Sequence, residues 1–280
     1  MAGTDEDAVA AEDDALYVLT AILLTPAQFP SVLGDDFPEA CAALDLPPVA
    51  DGYGLVLGQD GDGARWTVVV DDVSLVAVAI ASWDCGMEYD LSPDERSVVA
   101  ALPGWPLAVA VAAPNVPAPH DPGPELVDRR PLAPPDTEAW GPAQRRLGAD
   151  DIALRWAVWR EQLDDAAFAP ADGGTKAEKG VEPAEGTGES RLSTGVRRVL
   201  AEARAYVDAP PPPGRVRSSF ASGDARILRA DGPGWSMIAR TDDIAFVLLD
   251  EEPGEVVPVG RGPELPSLLD ALDKMAVRPL

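Results

Sequence analysis

The chain has 280 residues, 46% of them apolar, which is enough to bury one large core or two modules of about 100 residues each. Its 48 acidic side chains against 22 basic ones give a formal charge of -26, so its surface repels nucleic-acid phosphates and anionic lipid over a Debye length of about 8–10 Å and favours neutral or basic partners. Two cysteines, Cys41 and Cys85, lack any metal or redox spacing, which excludes a disulfide scaffold and points to reduced thiols in the cytoplasm.

The acidity is uneven along the chain. The first 64 residues carry thirteen Asp or Glu and no Lys or Arg. Within that stretch Asp35, Asp36 and Glu39, with Phe37 as the one aromatic anchor among them, are the candidate residues for docking a protein partner; the alternative is that the charge confers solubility alone. The opening MAGTDEDAVAAEDD has no basic leader, and the apolar run Ala15–Leu24 falls far short of the roughly 20 residues of a membrane span. The expectation is a cytoplasmic protein without membrane anchoring.

The run Ala15–Leu24 has no decisive period and reads equally as a buried strand or a short helix. Thr25, Pro26 and Gln28 form a capping pattern for a helix that Pro30 limits to about two turns, and a second short helix covers Glu39–Leu44. Strands follow at Gly54–Gly58, Trp66–Val70 and Val73–Ala81, with turns at Asp60–Gly63 and at Asp71 and Asp72. Ser92, Pro93, Asp94 and Glu95 make a capping box, which predicts a helix to about Leu102, and Pro106–Pro114 reads as one more strand.

Nine prolines between Pro114 and Pro142 mark a connector. Asp151–Phe168 places Ile152, Trp156, Trp159 and Leu163 at helical spacing, the pattern of a core stripe. Ala169–Ser190 has Val181 as its one sizeable apolar residue and reads as a flexible linker. A helix starting at Ser193 or Thr194 presents Val196, Val199, Leu200, Ala203 and Val207 on one face and ends before Pro210. The strands RVRSSF, ARILRA, WSMIAR, IAFVLLD and EVVPV come next, and Pro266 opens a last helix whose Leu268, Leu269, Leu272 and Met275 face inward.

Two segments look alike. Leu57 aligns with Leu228, Asp60 and Gly61 with Asp231 and Gly232, Gly63 with Gly234, Trp66 with Trp235, and Asp71 and Asp72 with Asp242 and Asp243. The expected fold is therefore α+β, with two pseudo-symmetric modules, each an antiparallel sheet with helices on one face, and each Trp a core residue of its own module. The expected division is an N-terminal module over 1–113, a Pro-rich connector over 114–149, a helix over 150–168, a linker over 169–190 and a C-terminal module over 191–280.

Little in the chain suggests catalysis. His120 is the single histidine and lies between prolines, a poor place for the base of a catalytic triad or for a zinc ligand. Phosphate-loop and dinucleotide fingerprints are missing. Gln59–Gly63 and Asp231–Gly234 read as hairpin turns, and the acids at Asp71–Asp72, Asp242–Asp243 and Asp250–Glu252 as solvated turns. No catalytic residue, cofactor or metal ligand is assigned.

The stretch SSFASGDARILRADGPGWSMIA, Ser218–Ala239, resembles the C-terminal hairpin of the EspG-like family, cytoplasmic chaperones of type VII secretion in actinobacteria. The resemblance covers about 22 residues. It implies two quasi-symmetric halves and non-catalytic binding of secreted client proteins, while IAFVLLDEEPGEVVPVG departs from the family, where a helix is expected sooner. The functional expectation is a non-enzymatic, chaperone-like or protein-binding protein with no nucleic-acid or membrane partner. The alternative is an acidic regulator that sequesters a basic factor or mimics nucleic acid.

Overall fold

The computed structural model describes residues 17–30, 33–60, 65–84, 95–103, 139–163 and 188–278. It divides into two compact units, Met1–Asp136 and Thr137–Leu280. Each is built on an antiparallel sheet whose strands are neighbours in chain order, which makes the fold α+β. No helix among the described residues is long and apolar enough to cross a membrane. The expected strand Pro106–Pro114, most of the proline-rich connector, His120 and most of the linker over 169–190 lie outside the described residues.

The N-terminal sheet comprises β1 (Tyr17–Leu24), β2 (Tyr53–Gln59), β3 (Arg65–Val70) and β4 (Val98–Pro103). The ambiguous apolar run before Thr25 is thus a strand, paired along β2 from Tyr17 opposite Gln59 to Leu24 opposite Tyr53. The helix expected after Thr25 is instead a closed turn: Gln28 N donates to Thr25 Oγ1 at 3.1 Å while Thr25 Oγ1 donates to the Gln28 carbonyl at 3.2 Å. Ser and Thr side chains offer the backbone this local alternative to a helix, and here it prevails. Helix α1 (Phe37–Ala43) starts two residues before the expected Glu39.

Two expectations beyond β3 are overturned. Val73–Ala81, read as a strand, belongs to helix α2 (Val73–Asp84). Asp72 opens it, its Oδ1 accepting from Ser74 N at 2.9 Å and from Ser74 Oγ at 2.6 Å, and Val76 and Ala79, three apart, face the sheet. A dense Val, Ala and Leu run carries no period to separate the two conformations. Conversely, the helix expected to run to Leu102 gives way to β4, in which Ala101 pairs with Val68. Its capping residues Ser92–Asp94 lie outside the described residues, and Val98–Pro103 completes the sheet by pairing along β3.

The C-terminal unit has a five-stranded sheet of β5 (Val216–Ser222), β6 (Ala225–Gly232), β7 (Trp235–Arg240), β8 (Ala245–Leu249) and β9 (Glu252–Val259), close to the strands expected from sequence. Its helices are α3 (Pro142–Leu154), α4 (Trp156–Glu161), α5 (Gly188–Asp208) and α6 (Leu265–Met275). The helix expected from Asp151 starts earlier, with Pro142 in its first turn, and breaks at Arg155, where φ is -112° and ψ 36°. Val207, assigned to the inward face of α5, is 40% exposed; Val199 and Ala203 are the fully buried residues of that face.

Helices cover both faces of each sheet rather than one. In the C-terminal unit Leu228, Trp235, Met237 and Val247 pack with α5 and α6, whereas the alternate residues Ile227, Ile238, Phe246 and Leu248 pack with Ile152 and Trp156 of α3 and α4. In the N-terminal unit Leu55, Leu57 and Val69 meet α1, and Val56, Val68 and Val70 meet α2. Strands buried on both faces read as unbroken apolar runs, and every residue of β8 is buried. Gly54 serves the same layering, since a Cβ there would lie 2.0 Å from Val76 Cγ2 and push α2 off the sheet.

The two similar segments each lie on an antiparallel strand pair, β2–β3 and β6–β7, with a further antiparallel strand on either side. The register differs between them: Trp66 stands opposite Gly58, whereas Trp235 stands opposite Gly232, the residue aligned with Gly61. The chain then diverges, because β3 leads into a helix and β7 leads directly into β8. Trp235 is fully buried and Trp66 half-buried.

Candidate functional site

The four docking candidates sit together at the start of α1, where local chemistry occupies them. Asp36 is the N-cap, its Oδ1 accepting from Glu39 N at 2.9 Å, and Glu39 Oε2 accepts from Asp35 N at 2.8 Å. This reciprocal pair satisfies amide donors that a helix start leaves open. Phe37 is fully buried, with its ring centroid 6.4 Å from that of Phe29; Asp35 and Asp36 are buried and Glu39 is exposed. On the following turn, burial and then the nearby Asp36 push the Cys41 thiol up to about 11, so it stays protonated. Asp36→Ala is expected to cost about 1 kcal/mol through the lost cap, and Asp36→Asn, which keeps the acceptor, to retain most of it. Thermal unfolding of the two variants checks this; equal losses would show that charge, not capping, is what Asp36 contributes.

The acidic turns are mostly engaged by neighbouring side chains. Asp60 accepts from Trp66 Nε1 at 2.9 Å. Asp242 accepts from Arg240 Nε at 2.6 Å, and that bond holds its carboxyl below the usual range. Asp243 accepts from Trp156 Nε1 and from Arg160 Nε, each at 3.3 Å, which ties α4 to the turn before β8. Glu251 accepts from Arg198 at 2.5 Å. Among the described residues no three His, Cys, Asp or Glu side chains are grouped to hold a metal.

A further group of charged side chains lies between α3 and the first three strands of the C-terminal sheet. Strand alternation puts Ile227, Arg229 and Asp231 of β6 on one face, and the register sets Arg217 of β5 opposite Arg229 and Ser236 of β7 opposite Asp231. Helix α3 lays Arg145 and Arg146 over them, and both are buried. Asp231, 1% exposed, accepts from Arg217 at 2.6 Å and from Ser236 Oγ at 2.7 Å. Arg145 Nε donates to Ser236 Oγ at 3.2 Å and its Nη1 pairs with Asp250. Arg229 pairs with Asp150, whose other oxygen lies 4.0 Å from Arg146. Burial and the guanidinium of Arg217 bring Arg146 down to about 10, and burial lowers Arg229 as well.

These residues escaped the sequence reading, which placed Asp231 in a hairpin turn. Asp231 lies within β6 instead, which ends at Gly232, and the turn falls at Pro233 and Gly234. The signal was present in ARILRADG, where Arg229 and Asp231 share the alternation of Ile227, so that charge stands at inward positions of a strand. Comparison of the chain with family models, curated proteins and solved structures found no match.

Proposed function

We propose that this is a non-catalytic, chaperone-like protein of the cytoplasm that binds a protein client through the outward side of α3 and α4. The observation that carries the reading is a set of three exposed apolar side chains along α3 and α4, with the charged Asp150, Asp151 and Arg155 between them. Leu147 and Leu154 lie seven residues apart on α3 and are 37% and 84% exposed, and Val158 on α4 is 50% exposed, while Ala149, Ile152 and Trp156 face the core. Helices that need one apolar side for folding gain nothing from a second, and apolar residues collected in water mark interaction surfaces. The formal charge of -26 favours a client segment with apolar anchors and basic flanks. The likeness of Ser218–Ala239 to the type VII secretion chaperones agrees with this reading.

Leu154→Ser together with Val158→Ser tests it. Stability should change by no more than about 0.5 kcal/mol because both side chains are in water. Proteins cross-linked by the parent in its native cell should be recovered at least tenfold less with the double variant. Undiminished capture by a folded variant would refute the assignment of this surface.

A further inference from the structure

The charged cluster beneath α3 is arranged against its own stability. Arg217 and Arg229 stand directly opposite one another on adjacent strands, a placement that like charges disfavour. A third guanidinium, that of Arg146, is laid over them from the helix. The side chains of Arg146 and Arg217 are only 4% and 7% exposed, so their mutual repulsion is poorly screened by water. The carboxylates facing Arg146 are Asp150 and Asp231, and the guanidiniums facing it are Arg217 and Arg229. Asp231 is held inside by Arg217 and Ser236, at 2.6 and 2.7 Å. Asp150 differs: it is 30% exposed, paired with Arg229, itself 23% exposed, and so forms the solvent end of the cluster.

From this convergence of three arginines we propose that Arg146, Arg217 and Arg229 form a binding site for a phosphate group, entered from the side of Asp150, which the ligand displaces. Planar guanidinium forks match oxyanions in geometry, and several of them on rigid elements make a site that needs little reorganisation. Two of the three stand on paired strands and the third on a helix packed against them, so their spacing is fixed by the fold. A dianion in place of one carboxylate relieves the repulsion that the Asp150 carboxylate leaves in part. The proposal does not rest on the client-binding reading, although its entrance at Asp150 adjoins that surface, three residues from Leu147 and four from Leu154 on α3.

Isothermal titration of the full chain with inorganic phosphate, and separately with a phosphomonoester such as glycerol phosphate, at constant ionic strength is the test. Saturable one-site binding is expected, weakened at least tenfold by Arg229→Met and tightened several-fold by Asp150→Asn, which removes the competing carboxylate. Both substitutions lie at the partly exposed end, and unfolding curves confirm that each variant is folded. Phosphate also raises melting temperatures without binding, so the heat of a saturable isotherm is the readout. Preference for the monoester over inorganic phosphate would identify an esterified ligand; the reverse would identify the free ion. Absence of saturable heat, or equal affinity in the parent and Arg229→Met, would overturn the site. So would weaker binding in a folded Asp150→Asn variant, since Asp150 would then support the ligand instead of competing with it.

Discussion

Replacing Trp235 with alanine is expected to destabilise the C-terminal unit by about 3–5 kcal/mol, the range for removing a large aromatic from a well-packed interior. The ring is fully buried, lies against Gly232 across the hairpin and stacks on Tyr206 at a centroid distance of 6.0 Å. Its indole N–H donates to Glu202 at 2.6 Å, so one side chain joins β7 to α5 by packing and by a hydrogen bond. Gly232 leaves the ring room, because a Cβ there would stand 2.3 Å from it. Trp66, half-buried and bonded to Asp60 of its own hairpin, should cost clearly less when truncated. Urea unfolding followed by far-UV circular dichroism measures both variants. Equal losses would show that the two tryptophans do the same structural work despite their different burial. A Trp235 variant as stable as the parent would mean that the helix does not depend on this contact.

What was legible in the sequence follows from how strongly each segment is patterned. The strands from Val216 to Val259 were readable because Gly, Asp and Pro punctuate β-branched and aromatic runs at short intervals. Val73–Asp84 was not, because an apolar run carries the same letters whether helical or extended, and here burial of Val76 and Ala79 against the sheet accompanies a helix opened by Asp72. The second helical layer on each sheet was missed for a related reason. Continuous apolar strands such as Ala245–Leu249 signal two covered faces, but which helix covers which face is decided by packing between segments distant in the chain. The docking candidates Asp35, Asp36, Phe37 and Glu39 were found as a group because they cluster in sequence, and that closeness is also what makes them a helix cap. The arginine cluster gathers residues from positions 145 to 250, and only the register of β5, β6 and β7 reveals that they share one face.

Removing Asp231 is expected to be as damaging as removing Trp235, for an electrostatic reason. The carboxylate is 1% exposed and holds Arg217 at 2.6 Å, with Ser236 as its second donor. Asp231→Asn keeps the shape but removes the carboxylate that faces the buried Arg217 at 2.6 Å, and breaking a buried pair from one side costs about 3–5 kcal/mol. Arg217→Met in the same background removes the guanidinium. Replacing both partners of a buried pair with apolar side chains of similar volume is often close to neutral, so Arg217→Met with Asp231→Leu should recover most of the loss. Ser236 Oγ, which accepts from Arg145 Nε at 3.2 Å in the parent, loses only the bond it donates to Asp231. The expected coupling energy between the two positions is about 2–3 kcal/mol in a double-mutant cycle, the upper part of the range for residues in contact. Additive losses would mean that Arg217 draws its compensation from elsewhere, and that Asp231 acts mainly through Ser236 and Arg145. The same double variant separates stability from recognition. It lacks one of the three guanidinium groups proposed to hold phosphate, so a folded protein that no longer binds the ion would show that the cluster is kept for its ligand and not for the fold.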